Sequence, residues 1–194
     1  MAAVLSGGNE QDPVEKRRLS GANMIFRLSQ KLATKLKEGN LPSLQLDQNP
    51  YADWSAHLFA ADRTQYILVA NTKSLYSVVM YGKGITDSGL FIERALSAIR
   101  EFMEDDGQSF VYQQFIGPSS ANVDFAKALD RTITGSINEL VKFAKFYLES
   151  DDMSPHDVGF KLNDVLLSAI APNKQSNYGK PREAFKALAN GEQK

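Results

Sequence analysis

A chain of 194 residues with 43% hydrophobic and 10% aromatic content is long enough to bury one full core and has the make-up of an ordinary globular protein. Lys+Arg 22 against Asp+Glu 23 leaves a net charge of -1, which argues against a protein whose main task is coating nucleic acid, while a local basic patch stays open. The lack of cysteine removes disulfides and thiolate chemistry and fits a reducing compartment, so the expected location is cytoplasmic.

No stretch approaches the run of about 20 apolar residues that spans a bilayer, and Met1 to Leu5 is too short for the apolar region of a signal peptide. No membrane partner is expected. Residues 1–23 carry Gly7, Gly8, Pro13 and the run Glu15-Lys16-Arg17-Arg18 with few large apolar side chains, and read as a mobile N-terminal tail. Residues 24–172 read as a single domain, and 173–194 as a C-terminal loop, short helix and tail.

Ile25 to Leu28 is a short strand. Ser29 then caps a helix reaching Lys37, with Leu32, Ala33 and Leu36 inward. A connection rich in Pro, Asn and Gln runs to Pro50. Trp54 to Ala61 and Tyr66 to Ala70 form a hairpin around Asp62-Arg63-Thr64-Gln65, and Leu75 to Tyr81 adds a third strand in an antiparallel meander. Asp87 to Asp105 is a long helix with Ile92, Ala95, Leu96, Ile99, Phe102 and Met103 on its buried stripe. Phe110 to Ile116 reads as a further strand.

The densest polar stretch follows. Val123 to Ala128 alternates like a half-buried strand, Asp130-Arg131-Thr132 breaks the pattern, and Gly135 gives freedom to the backbone before a helix. Ser136 and Glu139 have capping-box spacing, which starts that helix at Ser136. Ile137, Leu140, Val141, Ala144 and Leu148 form its apolar stripe. Ser154-Pro155-His156-Asp157 opens another helix, expected to run to about Ala171, where Pro172 stops it. Pro181 to Ala189 makes a last short helix. The expected class is α+β, an antiparallel sheet of four to five strands packed against three to four helices.

A helix mouth presents free amides and partial positive charge. Arg131, Thr134, Ser136 and Asn138 are therefore candidate ligand-binding residues, with Asp130 orienting Arg131. Local capping accounts for the same residues. The second Asp-Arg pair, Asp62-Arg63, suggests two turns flanking one anion-accepting pocket.

Catalytic signals are sparse. His57, placed on a sheet face beside Trp54, and His156, at an exposed helix start, lack partners at metal-ligand spacing, so no metal and no cofactor is expected. Asp53, Asp62, Asp124 and Asp130 are carboxylates that could meet in space. Tyr51, Trp54, Tyr66 and Tyr76 could stack bases, but aromatics on a small sheet more often build the core.

The pattern Asp130-Arg131-x-x-x-Gly135-Ser136-x-Asn138-Glu139 resembles the core of an uncharacterised bacterial family, domain of unknown function 6933. Met24-Ile25-Phe26-Arg27 with Lys31-Leu32 is similar to that family's opening strand and helix. Trp54 to Leu58 followed by Asp62-Arg63 resembles its hairpin, Asn71 to Leu75 its next turn, and Leu162-Asn163 a C-terminal pair. The resemblance runs from about Met24 to Pro172. It implies a small α+β domain with no established activity. The expected role is a non-enzymatic binding or regulatory module for a protein partner or a small anionic ligand. A hydrolase or phosphoryl-directed enzyme using Asp130 and Arg131 is the first alternative, and a nucleic-acid binder the second.

Overall fold

The computed structural model describes residues 23–150, 153–172 and 176–190. The N-terminal tail expected over 1–23 therefore lies almost wholly outside the described residues. Five strands, β1 (Met24–Leu28), β2 (Asp53–Ala61), β3 (Thr64–Asn71), β4 (Ser77–Tyr81) and β5 (Val123–Lys127), form one sheet in the order β4-β3-β2-β1-β5. The meander β2-β3-β4 is antiparallel as expected, but β1 runs parallel to both β2 and β5. The sheet is thus mixed, not purely antiparallel. Both parallel pairs are made by connections long enough to bring the chain back to the starting end of the sheet.

Helices cover both faces. On one face lie α1 (Gln30–Leu36) and α2 (Ser88–Asp105), joined by Phe185 from α5 (Pro181–Ala187). Strand alternation sends Phe26, Trp54, Ala56, Val69 and Val78 to this face, where they meet Leu32, Phe91, Ile99 and Phe102. Phe185 is fully buried, stacked on Tyr76 and against Trp54, so the last helix is built into the core. The other face carries α3 (Arg131–Ser150) and α4 (Pro155–Leu162), whose Ile137, Leu140, Ala144, Val158 and Leu162 pack on Phe59, Leu68, Ala70 and Val79.

Three elements depart from the sequence reading. Phe110 to Ile116 is a short helical turn, Ser109–Val111, running into a π-helical segment, Tyr112–Ile116. Its aromatics suited a strand, yet only Ile116 is buried there and Phe110 is 69% exposed. The helix opened by Ser154 stops at Leu162, well short of Ala171. The amide of Asn163 instead accepts from Ser77 N (2.8 Å) and donates to Ser77 O (2.9 Å), imitating a neighbouring strand at the sheet edge. Farther on, Leu167 pairs with Gly179 in an isolated bridge.

The third departure is the start of α3. It begins at Arg131, not Ser136. Asp130 is the cap, its Oδ1 accepting from Ile133 N (2.8 Å) and its carbonyl from Thr134 N. The Ser136 hydroxyl bonds back to the Thr132 carbonyl within the helix. The earlier start adds Ile133 to the apolar stripe, with Gly135 left on the exposed side. No helix among the described residues is long and apolar enough to cross a membrane.

Candidate functional site: a cleft at the ends of two parallel strands

β1 and β5 lie side by side, point the same way, and end at Leu28 and Lys127. The helix after β1 turns onto one face of the sheet and the helix after β5 onto the other. Chains that diverge in this way leave a crevice beyond the carboxyl ends of the strands, the usual ligand position in open sheets with parallel strands. Here that crevice is a cleft of about 800 Å³, within the range of small-molecule sites.

Its back wall is β2, where Ser55 and Ala56 pair with Arg27 and Leu28 at the end of β1 and His57 lies just beyond the last pair. One side is the start of α1, Ser29 to Lys31, with Glu38 to Leu41 beyond it. The other is the first two turns of α3, Ile133, Thr134, Ile137 and Asn138. Ser29 fixes the first side, its hydroxyl accepting weakly from Leu32 N and Leu58 N (3.4 and 3.5 Å) and so tying α1 to β2.

Arg27 lies at the floor. Its Nε and Nη2 each reach Asp53 at 2.7 Å in a two-pronged pair, and both side chains are fully buried. Nη1 donates to the carbonyls of Leu44 (2.9 Å) and Lys127 (3.4 Å), and Nη2 also to that of Gln45 (2.9 Å). All five guanidinium hydrogens are thereby used. Arg27 pins the connection between α1 and β2 across the sheet, and no donor is left over for a ligand. Beside it the Ser55 and Thr72 hydroxyls bond at 2.9 Å.

His57 is half-buried on the face covered by α3, opposite to the face holding Trp54, because side chains three apart on a strand point opposite ways. The expectation that the two pack together is corrected accordingly. Burial, then the nearby Lys31 and Lys145 ammonium groups, push the imidazole pKa below its ordinary value, so the ring is neutral at pH 7. His156 is partly exposed and pairs with Asp105 at 3.0 Å, packed edge-on to Phe102 and Phe160.

The structure divides the residues singled out by sequence. Thr134 and Asn138 line the cleft. Asp130 is an exposed cap, Arg131 is exposed and outside the cleft lining, and Ser136 is buried. Because the helix begins at Arg131, the amides after Ser136 lie inside it, and at its true mouth Asp130 already occupies the amide of Ile133. Asp62 and Arg63 are the two positive-φ residues of a two-residue hairpin turn between β2 and β3. Asp62 N faces Glu149 in the last turn of α3, ~27 Å along that helix from Arg131 at 1.5 Å per residue. The two Asp-Arg pairs do not meet. Tyr51, Trp54 and Tyr76 are buried in the core, where no base can stack on them.

Sequence reading missed Lys31, Lys127 and the wall from Glu38 to Leu41. The available signal was the strand-then-capped-helix order at Leu28-Ser29 and again at Lys127 to Asp130, two such units whose strand ends can share a crevice.

The fold and the cleft define an α+β domain with a mixed sheet and a ligand-sized crevice at its parallel strand ends. The chain belongs to the family described as Domain of unknown function (DUF6933), whose model matches residues 25–184. No curated protein and no solved structure gives a significant match.

Proposed function

We propose that this chain is a non-enzymatic binding module that holds a small molecule in the cleft between the ends of β1 and β5. The observation that carries this reading is the divergence of α1 and α3 from adjacent parallel strands, which opens the cleft where the sheet itself supplies a rigid back wall. Ser29, His57, Thr134 and Asn138 offer a few polar groups among Leu28, Ala56, Ile133 and Ile137, the mixture that orients a ligand while its body is buried. An enzyme built on Asp130 and Arg131 draws no support from this arrangement, because the carboxylate is occupied in capping and the guanidinium lies outside the lining.

The test is a metabolite screen by ligand-observed NMR on the full chain, repeated with Asn138→Trp and Arg131→Glu. Asn138 is exposed at the cleft rim, so the indole blocks entry without disturbing the core. Hits lost in Asn138→Trp and kept in Arg131→Glu support the cleft. Hits that survive Asn138→Trp, or that vanish only with Arg131→Glu, overturn it.

A further inference from the structure

Resting on the cleft reading above, the charge around the cleft assigns a class to its occupant. Lys31, in the first turn of α1, and Lys127, at the end of β5, both line it, and the lining holds one acid, Glu38. Among the described residues neither lysine has an ion-pair partner. Arg27 at the floor adds no net charge, since Asp53 is bound to it on both prongs. Deeper in, His57 adds no acid to the lining.

We propose that the cleft is selective for a small organic anion, with its carboxylate or phosphate monoester on Lys31 and Lys127 and its apolar body on Leu41, Ala56, Ile133 and Ile137. A half-enclosed site strengthens the attraction of an ammonium for an anion relative to open water. Two lysines, unlike an arginine fork, act as point charges without a fixed planar geometry, so both head groups fit them. The apolar lining disfavours a bare inorganic ion, which would leave those side chains against water. Asn138 and the His57 ring are placed to add hydrogen bonds once the anion is seated.

A matched series separates head group from body. Hexanoate, hexyl phosphate, hexanol, hexylamine and inorganic phosphate are titrated into the full-length chain while the amide signals of Ala56, His57 and Asn138 are followed. We expect one or both organic anions to bind about tenfold tighter than hexanol and to weaken with added salt, consistent with ionic pairing to the head group. Hexanoate alone, hexyl phosphate alone, or both would name the head group. The double variant Lys31→Gln/Lys127→Gln, two exposed positions whose replacement leaves the fold intact, should erase that tenfold advantage and leave hexanol unchanged. Hexylamine or hexanol binding at the cleft as tightly as the anions overturns the anion class while the cleft itself stands. Inorganic phosphate matching hexyl phosphate overturns the organic body. No shift at those three amides with any of the five overturns both the anion class and the cleft.

Discussion

Arg27→Met is the substitution that probes the structure most directly. It leaves the Asp53 carboxylate, 0% exposed, without the guanidinium that meets both of its oxygens. Breaking a buried pair by removing one partner costs about 3–5 kcal/mol. The carbonyls of Leu44 and Gln45 also lose their donor, but both residues lie partly open to solvent, where water replaces it. Against a native stability of about 5–15 kcal/mol the loss is large, and at about 2–4 °C per kcal/mol for a chain of this size it lowers Tm by about 6–20 °C. Trp54 is the only tryptophan and is fully buried, so its emission during urea unfolding reads the midpoint. Asp53→Leu should lose a similar amount. The double variant Arg27→Met/Asp53→Leu should be more stable than either single variant, because replacing both partners with apolar side chains leaves no unpaired buried charge. An Arg27→Met protein within about 1 kcal/mol of wild type at an unchanged m-value would refute the assignment of Asp53 to this partner.

Asp130→Ala should cost about 1 kcal/mol as a lost helix cap, whereas Ser136→Ala, inside the helix, should cost less than half of that, and urea midpoints of the two variants rank them. Equal costs would return the helix start to Ser136. Asn163→Leu removes both bonds to the Ser77 backbone and leaves a buried amide and carbonyl unpaired, worth about 2–4 kcal/mol, with faster hydrogen exchange at Ser77 as its local sign. His57 has a folded pKa below its ordinary 6.5, so the unfolded chain takes up the proton first. Its contribution to stability is complete above pH 6.5 and is lost as pH falls from there through the folded value. His57→Gln should flatten that part of the stability–pH curve, and NMR titration of the His57 ring gives the folded value directly.

What could be read from the sequence follows from which forces are local. α2 was legible end to end because Asp87 caps it and a single apolar stripe fills its length. The β2-β3 hairpin was legible because two strongly apolar runs flank a polar stretch, although the turn is Asp62-Arg63 alone and Thr64 and Gln65 already belong to β3. Elements went wrong where a tertiary demand overrode a good local pattern. Val165, Leu166, Ala169 and Ile170 continue a helical period, yet the edge of β4 needs the Asn163 amide, and Leu166 ends 58% exposed. Two caps compete at the start of α3. The earlier one prevails, carrying Ile133 into the second core, even though Gly135 inside a helix costs about 1 kcal/mol relative to Ala.

The cleft was hidden for the same reason that the sheet looked antiparallel. Both depend on the direction in which the chain returns after α1, and that return is made by the segment from Lys37 to Ala52, which has no periodicity to read. In the folded chain Arg27 organises it. The guanidinium grips Leu44 and Gln45, while Asp53 Oδ2 also accepts weakly from Asp47 N (3.3 Å). The beginning of that segment, Glu38 to Leu41, forms one wall of the cleft. A buried pair is poor evidence of net stability, since well-packed apolar side chains often do as well. The role its contacts suit is geometric: it ties down the segment that leads from the wall, and under the proposed binding function that would lower the ordering cost of a ligand. The double variant Arg27→Met/Asp53→Leu separates the two contributions. If the pair specifies geometry, that protein recovers much of its midpoint while hydrogen exchange over residues 38–47 still rises well above wild type. Unchanged exchange there would show that the wall stands without the pair.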